Sequence, residues 1–169
     1  MNYTKLFQKL VDLLGKSEFD LNLQKLFTEL GEKFPLKRPR KGLTGYLLEK
    51  EERGYQLGME YAEFLPAFKE DKSFKEGELV FYSLQNIYYD SDFEDTIFPF
   101  NITWDLSLDK ARDLLGVYFK YHDTKKVFSW KKGNIIIILK FDEEDYLCEI
   151  AYRLLTDNDL EILKKTNKR

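Results

Sequence analysis

Apolar positions recur along this chain at two periods. Over residues 3–14, Leu6, Phe7, Leu10, Val11 and Leu14 share one face at the helical period, and Gly15 supplies a left-handed stop. Leu23, Leu26, Phe27 and Leu30 repeat that stripe, with Asp20 placed as N-cap and Gly31 as terminator. The period then falls to two. Tyr46-Leu47-Leu48 starts a strand, and Tyr55, Leu57, Met59 and Tyr61 alternate with Gln56, Gly58 and Glu60 as a half-buried strand does. Residues 49–54 form a charged turn in which Gly54 takes a positive φ. Residues 65–77 read as the loop of a wide hairpin, and residues 78–89 as a long strand.

The order then recurs. Ser107 is an N-cap; Leu108, Ala111, Leu114 and Leu115 form a helical stripe; Gly116 ends it. Residues 120–126 read as a polar loop around His122. Val127-Phe128-Ser129-Trp130 is a strand, followed by a hairpin turn at residues 131–134. The run at 135–139 has no polar residue and predicts a central strand buried on both faces. A turn at 142–145, a closing strand at 146–154 and a short helix at 157–165 capped by Thr156 complete the chain.

The two halves therefore share a layout. LNLQKLFTELG at 21–31 matches LSLDKARDLLG at 106–116, and both final strands carry L-x-x-I-x-Y, as Leu84, Ile87, Tyr89 and as Leu147, Ile150, Tyr152. This predicts an α+β fold of two tandem helix-plus-antiparallel-meander repeats, forming one sheet or two small sheets, with helices packed on one side. The boundaries fall at residues 1–97, holding the N-terminal helix and first repeat, and 98–169, holding the second repeat and a short C-terminal helix. Together they make one compact unit.

Composition narrows the function. A net charge of −3 gives little attraction for phosphate backbones, so nucleic acid is not expected as partner. The one basic cluster, Lys37-Arg38-Pro39-Arg40-Lys41, reads as a solvated loop that counters nearby acids. No segment is long and apolar enough to span a bilayer, so no membrane partner is expected. A lone cysteine, Cys148, permits no internal disulfide and reads as a buried small hydrophobe. With no signal-peptide pattern at the N-terminus, a reducing cytoplasm is expected.

Catalytic signatures are missing. His122 is the single histidine, and it reads as a surface residue rather than a catalytic base. One Cys and one His cannot make a zinc site, and no phosphate-binding glycine motif occurs. The acidic run at 90–95 lacks the glycine and terminal Glu of a calcium loop. No catalytic, cofactor-binding or metal residue is assigned, and no cofactor is expected. Trp104 reads as core, whereas Trp130, ending a strand beside a turn, reads as an interface anchor.

Several short motifs carry a resemblance. The second half pairs Phe98-Pro99-Phe100-Asn101-Ile102 with a helix opening at Ser107 and closing in Leu-Leu-Gly, then a Trp strand, an apolar strand, Phe141-Asp142-Glu143, and Leu147 to Ile150. This resembles the repeat of β-lactamase-inhibitory-protein-like folds. With a first copy carrying Leu30-Gly31 and Gly54-Tyr55-Gln56-Leu57, the layout is similar to immunity proteins of bacterial polymorphic toxin and contact-dependent growth inhibition systems. The resemblance implies a protein that is not an enzyme, and that neutralises a cognate toxin by occluding its active site or substrate groove. Such toxins include nucleases with basic grooves. The candidate partner-binding residues are Asp90, Asp92, Phe93, Glu94 and Asp95, then Glu49, Glu51, Glu52 and Trp130. Two other readings stay open: a small intracellular enzyme with a carboxylate site, and an adaptor or assembly subunit.

Overall fold

The computed structural model describes residues 2–69, 71 and 73–166, without the side chains of Glu51 and Ser91. Helices α1 (Tyr3–Asp12) and α2 (Leu21–Glu29) precede strands β1 (Gly45–Leu48), β2 (Gln56–Tyr61) and β3 (Leu79–Tyr88). Helix α3 (Leu108–Leu115) precedes β4 (Lys120–His122), β5 (Val127–Lys132), β6 (Ile135–Phe141) and β7 (Leu147–Leu154), and α4 (Asp157–Thr166) follows.

The helices begin where side chains satisfy exposed backbone N–H groups. Asp20 accepts from the amides of Asn22 and Leu23, and Ser107 accepts from Lys110 N. At α4, Asp159 accepts from Thr156 N at 2.9 Å, while Thr156 Oγ1 accepts from Asp159 N at 3.4 Å. Between β5 and β6 the turn is Gly133-Asn134, with positive φ at Gly133 alone.

All pairings are antiparallel, and the sheet has seven strands in the order β1-β2-β3-β7-β6-β5-β4. Each half contributes a meander, and the last strands of the two meanders pair with each other. In that pairing Ile87 sits opposite Ile150, the matching positions of the shared L-x-x-I-x-Y pattern. The result is an α+β fold with one open, continuous sheet.

One large core spans both halves. Phe7, Leu10, Leu23 and Phe27 from α1 and α2 join Leu57, Met59, Phe81, Ile87, Trp130, Leu139, Ile150 and Tyr152 from the sheet. A fully buried side chain of this size contributes about 1.5–3 kcal/mol, so this alternating face is what fixes register. A smaller cluster of Ala62, Leu65, Val80 and Leu154, with Phe68 and Phe74, covers one end of the sheet. Arg153 leaves β7 on the face away from Tyr152, and its guanidinium holds the buried Asp159 of α4.

Several expectations change. The segment around His122 includes an edge strand, β4, although His122 itself is exposed, with Nδ1 beside Thr124 Oγ1. In β6, Ile136, Ile137 and Leu139 are buried, but Ile138 is only half-buried. The last strand, β7, runs through the centre of the sheet. Cys148 sits at a bulge there and is half-buried, its Sγ 3.4 Å from Lys140 O. Gly58 has a specific reason: a Cβ there would lie 2.0 Å from Ser83 Oγ and 2.8 Å from the Tyr82 ring.

Candidate functional site

The sequence of the first turn, Glu49-Lys50-Glu51-Glu52-Arg53, divides its charges by direction. The cations point inward. Lys50 Nζ donates to Gly31 O at 2.7 Å, and Arg53 donates to Leu48 O at 3.2 Å and Leu30 O at 3.3 Å. Both pair with Glu32, and the Arg53 guanidinium stands 5.7 Å over the Tyr55 ring. These bonds close the C-terminal end of α2 and leave Glu49 and Glu52 exposed. The Glu51 side chain lies outside the described residues.

The second acidic segment follows β3. Asp90 Oδ1 accepts from Asp92 N, Phe93 N donates to Asp90 O, and Thr96 N donates to Phe93 O, each at 2.9 Å. Asp90, Asp92, Glu94 and Asp95 are exposed. Phe93 is not an exposed anchor: it is 2% exposed, edge-on to Tyr3 at 4.7 Å and to Phe7 at 5.5 Å. It is the one apolar residue in an acidic run, so burial of that ring sets the loop's course. Trp104 Nε1 donates to Phe93 O at 3.0 Å and holds it there.

Phe93 also joins the two acidic segments. Gly54, at φ +71°, has no Cβ, and one placed there would stand 3.1 Å from the Phe93 ring. Glu49, Glu52 and the acids at 90–95 therefore share one rim at one end of the sheet. A chain of amides runs across it, with Gln56 Nε2 donating to Glu49 Oε1 at 2.9 Å and Asn86 Nδ2 donating to Gln56 Oε1.

Trp130 does not belong to this rim. The strand extends two residues past it, so alternation turns the indole inward with Phe128; it is fully buried, and Nε1 donates to Gly116 O at 2.8 Å. The aromatic surface beside the acids comes instead from Tyr88 and Tyr89, both about half exposed. The sequence carried a signal for Tyr88: Ile87 faces inward, so the next residue in the strand faces out, whereas Tyr89 shares the parity of Ile87 and is open because the strand ends before it.

The rim offers carboxylates and phenols to a basic, partly apolar surface. No group of three or more His, Cys, Asp or Glu side chains among the described residues is placed to hold a metal ion. Burial raises the pKa of the Cys148 thiol, which disfavours the thiolate. No helix among the described residues is long and apolar enough to cross a membrane.

The chain matches no protein-family model and no curated protein. Among solved structures, it is similar to a DUF4309 family protein, YjgB, from Bacillus subtilis subsp. subtilis str. 168. The TM-score is 0.41 at 7% identity, covering 89% of this chain and 93% of that one. A likeness this distant bears on neither the function nor the partners of the chain.

Proposed function

We propose that this chain is an immunity protein that binds and neutralises a cognate bacterial toxin domain in the cytoplasm, without chemistry of its own. The observation that supports this reading most is the convergence of two acidic segments, distant in sequence, around the buried ring of Phe93. Exposed carboxylates on a pinned backbone steer a basic partner and keep their geometry on binding, because little ordering is left to do. Tyr88 and Tyr89 supply contact area next to the charge. A toxin with a basic substrate groove, such as a nuclease, fits that surface.

The test is co-expression with the toxin domain encoded beside it, together with binding kinetics of the purified pair. The chain should rescue growth. Asp92→Lys with Glu94→Lys should slow association by about tenfold or more at low salt, with a smaller effect at high salt. Unchanged association in that double variant would remove the rim from the interface. Measured turnover of a substrate by the chain alone would replace the reading with an enzyme.

A further inference from the structure

The two ends of the sheet are guarded differently. Strand β4 ends it on one side with the charged side chain of Lys120, and a lysine on an edge strand discourages pairing with another chain. Strand β1, Gly45-Tyr46-Leu47-Leu48, ends it on the other side with no charge, no proline and no bulge against β2. Tyr61 N donates to Thr44 O at 2.9 Å, which fixes the phase of the ladder. Thr44, Tyr46 and Leu48 therefore bond to β2, and the N–H and C=O groups of Gly45 and Leu47 point away from the sheet. No group among the described residues bonds them.

The flanks of β1 carry opposite charges. Lys37, Arg40 and Lys41 precede it, exposed and without an ion pair among the described residues. Arg38 pins this loop by donating to the buried Glu18 at 2.5 Å. Glu49 and Glu52 follow β1, also exposed and outside any ion pair among the described residues. A strand with cations before it and anions after it is complementary to itself when two copies run antiparallel.

We infer that β1 pairs with β1 of a second copy of this chain, joining two sheets about a twofold axis. Gly45 of each copy lies against Leu47 of the other, so the outward backbone groups satisfy one another. The basic run of each copy is carried toward the Glu49 and Glu52 end of its mate. The joint draws on Glu49 and Glu52 from the acidic rim but lies two strands away from the loop at 90–95, so self-association measured on the chain alone, without toxin, succeeds or fails separately from the toxin-binding proposal.

A charge swap followed by light scattering and sedimentation over a wide concentration range tests this. Wild type should form a dimer, and the amides of Gly45 and Leu47 should gain hydrogen-exchange protection as it forms. Arg40→Glu with Lys41→Glu, and separately Glu49→Lys with Glu52→Lys, should each weaken the dimer by about tenfold or more. An equimolar mixture of the two variants should restore it, because both contacts are then complementary. Leu47→Pro removes an outward N–H and no ladder bond to β2, and at a half-buried edge position should give a folded monomer. Wild type that stays monomeric overturns the inference, including a monomer whose edge is taken by a strand of a different protein. A dimer indifferent to both charge reversals, or one that leaves the Gly45 and Leu47 amides unprotected, overturns it as well.

Discussion

Tyr89 and Tyr152 hold the same place in two copies of one strand pattern, and their environments are opposite. Tyr89 is 54% exposed, whereas Tyr152 is fully buried. The difference lies in what continues beyond each strand. Strand β7 runs on with β6 on its far side, so Tyr152 lies opposite Ile137, with Phe100 stacked at 6.3 Å and its hydroxyl donating to Pro99 O at 3.1 Å. Strand β3 ends at Tyr88, and the chain turns into the acidic loop, so Tyr89 rests edge-on against Trp104 at 5.6 Å with its other side open. The same six-residue pattern thus makes core where the ladder continues and rim where it stops.

Truncation of the two tyrosines puts the largest effect on this contrast. Tyr152→Ala should lower unfolding free energy by about 3–5 kcal/mol, because it empties a packed site and orphans a buried carbonyl. Tyr89→Ala should cost less than about 1 kcal/mol, as exposed positions do. Denaturant titration of both variants measures the gap. Equal losses would mean that the two ends of the motif are supported alike.

A second comparison concerns the two buried ion pairs. Arg53 with Glu32 closes the end of α2, and Arg153 with Asp159 anchors α4. Burial alone would raise the Asp159 carboxyl, but hydrogen bonds from Arg153 and the Thr156 backbone outweigh it, and its pKa sits below the ordinary carboxylate value. A depressed folded-state pKa gives stability that is present above the unfolded value of about 3.9 and is lost as pH falls through the folded one. Asp159→Asn should therefore cost about 3 kcal/mol at neutral pH, since it leaves Arg153 without its charge partner. The difference from wild type should shrink below about pH 3.9. A loss that persists undiminished in acid would assign the anchor to packing rather than charge.

Most of the fold was legible because each signal was local. Asp20, Ser107 and Thr156 stand directly before apolar stripes, and glycines stand directly after the stripes of the first three helices. What the sequence hid was set by neighbours. Lys120-Tyr121-His122 forms an edge strand whose half-exposed or exposed side chains leave no buried alternation to read. Trp130 looks like a strand end in the sequence because two lysines resemble a turn, whereas the strand runs through Lys131 and Lys132. The site was half legible: the acidic segments were visible, and their meeting was not. It depends on Phe93, a ring whose burial requires Gly54 from a segment some forty residues away to leave room for it.

The smallest effects test the place where the two copies differ in backbone. Aligned on Ile87 and Ile150, Asn86 corresponds to Glu149. Asn86 has φ +53° at the bulge where β3 meets β7, while Glu149, opposite Lys140 and Tyr88 and next to the Cys148 bulge, has no positive φ. A left-handed residue with a Cβ costs about 1–2 kcal/mol unless its side chain compensates, and Asn86 does so through Gln56. Asn86→Ala should thus lose about 1 kcal/mol, whereas Asn86→Gly should be nearly neutral, exchanging one hydrogen bond for relief at φ. Glu149→Gly should lose about 0.5–1 kcal/mol, because an extended strand residue gains nothing from glycine's freedom and the partly exposed contact to Lys140 Nζ at 3.5 Å goes with the side chain. Matched urea titrations of the three variants resolve the signs. If Gly is tolerated equally at both sites, the bulge is not held by backbone conformation, and the asymmetry between the copies rests on side-chain packing alone.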